Sequence, residues 1–335
     1  MSEPLEQNFQ PPAPPTPIAE PTPRPTNLRP IAIGLFVVGL LILIGGIAKF
    51  IAGGIGTGGA LAFLGVALFA FSFIPLPQVP GSAEPPLSPI QKLTGIFFEP
   101  SRVFRNLRTH PRWVAAYIVI VVLSVAYTFA FTQRVTPERI VNHTIDKLSE
   151  LGPPFAPPPE RLEAMRATQL EDAKNPIQRA GGAVKACVAI FAFTCIIAAL
   201  YLLAILAFGG RINFWQALAV TFYAALPVIV IQKVISLIIL YIKSPDDIHP
   251  ILGQETLVTD NLGVLFSPAE HPVLFVLATS IGLLSFYGLW LKAKGLHFGG
   301  TRVSSGAGWG AAVTMWVLGL LLGAIFTALF PTFIS

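Results

Sequence analysis

SPIQKLTGIFFEPSRVFRNLRTHPRW, residues 88–113, stands directly before a long apolar run, and the rest of the chain is read outward from it. Ser88 followed by Pro89 is a helix N-cap and first-position pair. Ile90, Leu93 and Phe97 then recur at helical spacing. A second helix restarts at Pro100, with Val103, Phe104 and Leu107 on one face and Arg102, Arg105 and Arg108 towards the other. Two short helices with an apolar face and a basic rim suit the interface of a bilayer, where arginines meet anionic headgroups. Arg112 and Trp113 extend that rim to the start of the next run, so Arg102, Arg105, Arg108, Arg112, Phe97, Phe104 and Trp113 are the expected lipid-interface residues.

Apolar runs on both sides place this stretch in a polytopic membrane protein. Upstream, Ile31–Ile51 and Ala60–Ile74 are each long enough to span, and Gly53, Gly54, Gly56, Gly58 and Gly59 between them read as a tight turn. Downstream the expected spans are Trp113–Phe131, Ala183–Phe208, Phe214–Ile242, Pro272–Trp290 and Ala311–Phe330. The predicted fold class is therefore all-α, a seven-span transmembrane bundle. Residues 1–30 are a proline-rich tail expected to be disordered, 31–79 a transmembrane hairpin, 80–92 a linker and 93–335 a five-span domain. Between the third and fourth spans, residues 133–182 should form an extramembrane helical hairpin, with helices from Pro137 to about Leu148 and from Pro159 to Lys174.

Composition agrees. The 335 residues are 53% hydrophobic and only 12% charged, where soluble domains carry about 25% charged residues. The net charge of +5 is dispersed along membrane flanks, which argues against nucleic-acid binding. Cys187 and Cys195 lie within one apolar run and read as small packed hydrophobes. No cleavable signal peptide is expected at the N-terminus.

Basic residues in the short flanks set the orientation. With the N-terminus inside, Arg24, Arg29, Lys92, Arg102, Arg105, Arg108, Arg112, Arg211, Lys292, Lys294 and Arg302 all fall on the inner side. Only Lys49 and Lys243 sit in the short outer connections, and the loop from Lys243 to His271 is net acidic. The expected topology is N-terminus cytoplasmic and C-terminus outside.

From Leu93 to about residue 330 the pattern resembles the bacterial branch of the YIP family, the Ypt/Rab-interacting-protein-like membrane proteins. The residues that carry the resemblance are GIFFEPSRVFRNLRTHPRW, GGRINFWQALAVTFYAALP across Gly209–Pro227, and LLSFYGLWLKAKGL across Leu283–Leu296. The resemblance implies a five-helix membrane core with a cytosolic N-terminus. The DLYGP-type motif of eukaryotic members is replaced here by GIFFEPSRVF, so no small-GTPase partner is carried over.

No constellation for catalysis is evident. None of the acidic residues falls within the body of an expected span, and His110, His143, His249, His271 and His297 all lie in loops or at ends. His249 with Asp246 and Asp247 reads as part of a solvated acidic loop, so no metal, cofactor or catalytic residue is expected. Lys233 is the one ionisable residue well inside a span. It is expected to snorkel along the helix or to pair with carbonyls freed at Pro227. Gly319 and Gly323 make a GxxxG pair suited to helix packing, within the chain or between copies. The functional expectation is a non-enzymatic membrane-organising or partner-binding scaffold, of a kind suited to trafficking or envelope homeostasis. Its partners would be anionic headgroups, further copies of itself or other membrane proteins. The alternative is a small-solute transporter or channel with a broken helix near Pro227 and Lys233.

Overall fold

The computed structural model describes residues 26, 28–77, 84–151 and 156–331. The expected disordered tail falls almost wholly outside the described residues, as do residues 80–83 of the linker, whose last residues, from Pro89, are already helical. What is described is helical, with two isolated bridges and no strand.

Two helices, α1 (Arg29–Ile47) and α2 (Gly54–Phe71), form the N-terminal hairpin. The glycine cluster is not a turn, contrary to the sequence reading. Only Gly53 turns, at φ 69°, and Gly54 to Gly59 are already helical. The glycines serve contact: a Cβ on Gly58 would lie 2.3 Å from the Leu43 nitrogen, and one on Gly39 2.4 Å from the Ala62 nitrogen. The two backbones touch, which only glycine permits. The hairpin is tied to the remainder at one end, where Trp215 Nε1 donates to the Ile74 carbonyl and Asn213 Nδ2 to that of Pro75.

Next come α3 (Pro89–Phe98) and α4 (Pro100–Thr109), then the span α5 (Val114–Val135). The helical pair expected between the third and fourth spans is α6 (Pro137–Ser149) and α7 (Pro159–Lys174), closed on Val141, Ile145 and Leu162. Two long helices follow, α8 (Pro176–Ala207) and α9 (Phe214–Ile242). Beyond a short α10 (Leu252–Glu255) lie α11 (Pro272–Thr279), α12 (Leu283–Gly299) and α13 (Ser305–Leu329). α9 is the axis: its first half, from Trp215 to Pro227, is almost wholly buried, and α5, α8 and α12 pack around it.

Six described helices are long and apolar enough to cross a membrane. The expected span Pro272–Trp290 is not one helix. It breaks at residues 280–282 into α11 and α12, because the preceding loop inserts its own polar groups there. Asp260 Oδ2 accepts from the Leu284 nitrogen at 2.7 Å, and the Leu262 nitrogen donates to the Ile281 carbonyl at 3.0 Å. Gly282 makes room, since a Cβ there would meet Asn261 at 2.9 Å. The loop read as solvated is thus partly folded into the bundle.

Candidate functional site

The α3–α4 unit is built as its sequence requires. Ser88 Oγ accepts from the Gln91 nitrogen and Gln91 Oε1 from the Ser88 nitrogen, a reciprocal cap that starts α3. Proline then restarts the chain as α4. Its apolar residues Val103, Phe104 and Leu107 are each at most 1% exposed. They face protein: Phe104 sits over Gly295, where a Cβ would approach its ring at 3.0 Å, and α4 packs along α12. Phe97 is half-buried against the same core. Trp113 stacks on Phe222 with centroids 5.6 Å apart and also touches Phe191 and Tyr117. Of the three aromatic residues expected at the lipid interface, Phe104 is interior and the other two are engaged by the core. The apolar side chains that α3 leaves outside are Ile90, 73% exposed, and Phe98, 85% exposed.

Polar ties lock this unit down. Asn106, 2% exposed, accepts from the Leu87 nitrogen and donates to the Pro85 carbonyl. Gln216 Nε2 donates to the Arg108 carbonyl, and the Arg108 guanidinium to the Thr301 carbonyl at 2.8 Å. Lys92 is 1% exposed and its ammonium donates to the His110 carbonyl. Burial, with the neighbouring Arg112 charge, pulls its pKa down to about 8. The four expected arginines therefore differ. Arg102 pairs with Glu99 at the surface, Arg105 lies 5.4 Å over the Phe298 ring, Arg108 is a structural tie, and Arg112 is exposed. Arg102 and Arg105 line an open groove of about 670 Å³ with Phe98 and Trp290. Lys294 stands 5.5 Å from the same Phe298 ring that Arg105 covers.

The residues of the alternative reading are placed differently. Pro227 is buried inside α9, which continues through it. Lys233 does not bind the carbonyls near Pro227. It donates to the Glu255 carbonyl of the returning loop and lies 4.3 Å from the Tyr127 ring centroid. Gly319 and Gly323 are separated in role: Gly323 faces Val276 of α11, whereas Gly319 faces open space.

Sequence reasoning missed a pairing at the opposite end of the bundle. His143 of α6 stands edge-on to His249, with centroids 5.0 Å apart, in a cleft of about 760 Å³. His249 Nδ1 accepts from the Ile251 and Leu252 nitrogens, so it must be unprotonated to hold that turn. Burial lowers both histidines' pKa; His143, Lys147 and Arg139 add to this at His249, and Lys147 and Arg139 at His143, where Asp146 and Glu150 oppose it. A histidine whose folded pKa is depressed takes its proton first in the detached state. The attachment of the loop is thus full above the ordinary value of about 6.5 and weakens as pH falls below it. The protection of amides 251–256, each exchange rate taken relative to its intrinsic rate at that pH, is expected to fall between about pH 7.5 and about pH 5, and His249→Asn, which can still accept without titrating, to remove that response. Equal protection at both pH values would refute it.

A family model described as the Yip1 domain matches residues 94–327. No curated protein and no solved structure matches the chain.

Proposed function

The chain belongs to the Yip1 domain family, and from that premise we propose that this integral membrane protein is a non-enzymatic scaffold that organises anionic lipid around a docked basic platform. One observation carries the reading. The apolar face of α4 is consumed by α9 and α12, which leaves Arg102 and Arg105 aimed outward beside the exposed Phe98, with Ile90 exposed at the start of α3. A free amphipathic helix would bury its apolar face in lipid. Here the protein supplies that burial, so the arginines are held at a fixed height with two apolar side chains as the lipid contact. Arg211, Lys292, Lys294 and Arg302 lie towards the same end of the bundle, whereas Asp246, Asp247 and Glu270 lie in the loop at the other. That asymmetry supports a cytoplasmic platform. α1 begins at the platform end, where Thr26 bonds to the Ser72 carbonyl, and α13 runs from that end to the opposite one. If α11 and α12 together make one crossing, the C-terminus lies outside. The bacterial inner membrane is the placement that the sequence resemblance supports.

The test is the lipid shell of the full chain in vesicles of equal phosphatidylglycerol and phosphatidylcholine. Spin-labelled lipid of each kind reports the selectivity. Arg102→Glu with Arg105→Glu is expected to lower the preference for phosphatidylglycerol by roughly tenfold or more, at about 1 kcal/mol per cation removed, with insertion intact. Arg108 is left alone because its guanidinium ties α4 to Thr301. Unchanged selectivity in the double variant would sink the proposal.

A further inference from the structure

A cleft of about 370 Å³ opens where α3, α5 and α9 meet, on the platform but away from the Arg102–Arg105 groove. Its walls are apolar: Leu87, Pro89, Trp113, Val114 and Ile118. Three residues with polar groups, Lys92, Arg112 and Tyr223, also line it. Lys92 is almost fully buried and spends one ammonium donor on the His110 carbonyl, leaving donors to spare. Arg112 is close enough to oppose the Lys92 charge. None of the ion pairs among the described residues gives either cation a carboxylate. Tyr223, with 0% exposure, lines the same cleft, and its hydroxyl is buried without a hydrogen-bond partner.

A buried lysine without an anion, next to the exposed Arg112, and an orphaned buried hydroxyl each carry a cost. One anionic group with several acceptor oxygens would satisfy all three. The apolar wall continues from the cations along α5 through Val114 and Ile118, which are 49% and 52% exposed. It therefore runs from the interface into the hydrocarbon, the path of an acyl chain beneath a headgroup. We infer that this cleft holds a single anionic phospholipid, its phosphate on Lys92, Arg112 and the Tyr223 hydroxyl and one acyl chain along Val114 and Ile118. The assignment deepens the lipid reading above, on which it rests for the platform lying at the interface. It differs in kind, being one stoichiometric lipid where the arginine groove biases a mobile shell.

The experiment is native mass spectrometry of the full chain in detergent, titrated with phosphatidylglycerol or phosphatidylcholine of matched acyl chains. One phosphatidylglycerol per chain should persist under conditions that strip phosphatidylcholine. Lys92→Met, which keeps the buried stem, should lower that occupancy roughly fivefold, and Tyr223→Phe by a similar factor through the lost hydrogen bond. The Arg102→Glu and Arg105→Glu double variant should keep the lipid. Equal retention of the two lipids, or full retention in both Lys92→Met and Tyr223→Phe, would overturn the site. So would loss in the groove variant alone, which would move the lipid to the arginines. If inorganic phosphate raises the melting temperature as much as the phospholipid does, the ligand is a free anion and the lipid assignment fails.

Discussion

Gly58→Leu is expected to separate α2 from α1 and to lower the melting temperature of the detergent-solubilised chain. The first added carbon would sit 2.3 Å from the Leu43 nitrogen and 2.6 Å from the Gly39 carbonyl oxygen. Overfilling a core costs about 1–3 kcal/mol when side chains can shift. Here the obstacle is backbone on both sides, so the helices must part and the cost should reach at least the upper end of that range. Gly59→Leu is the internal control. A Cβ at Gly59 meets nothing within 4 Å, so leucine there only adds apolar surface and better helix propensity. If the two variants melt alike, the backbone contact between α1 and α2 is not what holds the hairpin. Protease sensitivity at Ala48–Gly53 should rise in the Gly58 variant alone.

That hairpin also marks where reading the sequence stops short. Hydropathy placed both helices, but a glycine in a tight turn and a glycine in a helix contact look alike in composition. The distinguishing signal was spacing: Gly39 and Gly46 are seven apart on α1, as are Gly58 and Gly65 on α2, which is a helical repeat and not a turn. The local signals fared well where they were chemical. Ser88 caps α3, Pro100 restarts α4, and Pro159–Lys174 is a helix with the limits the sequence implied. The break between α11 and α12 could not be read this way. Its cause, Asp260 bonded to the Leu284 nitrogen, lies 24 residues upstream of the helix it caps, in a loop whose acidity suggested solvent. The same limit applied to Lys233, whose partner carbonyl at Glu255 is brought back by that loop. The His143–His249 contact joins two segments 106 residues apart through tertiary packing alone. On the platform, helical periodicity gave the correct apolar face of α4 but not what covers it. An amphipathic helix looks the same whether lipid or α12 receives its apolar side.

Phe104→Ala and Phe98→Ala tell those two coverings apart. Phe104 is wholly buried, with Gly295 and Gly299 of α12 and Val220 of α9 shaped around it. Truncating a buried phenylalanine costs about 3–5 kcal/mol through lost transfer energy and the cavity left behind. The glycines of α12 have no side chains with which to fill that cavity, so the upper part of the range is expected. The melting temperature should fall, and amide exchange should quicken in α4 and at Leu87, whose nitrogen Asn106 ties to it. Phe98 is 85% exposed at the end of α3, so its removal opens no cavity and should leave the melting temperature in detergent unchanged. Its effect belongs to the bilayer: the depth of α3, read by quenching of a fluorophore on Thr94 with lipids brominated at different positions, should become shallower. If Phe104→Ala were silent in detergent, α4 would be held by its polar ties to Pro85, Thr301 and Gln216 and not by packing. The fixed height of Arg102 and Arg105 would then rest on hydrogen bonds. If Phe98→Ala destabilised the solubilised chain, that side chain would be part of a protein contact, and the lipid-facing edge of the platform would have to be redrawn around Ile90.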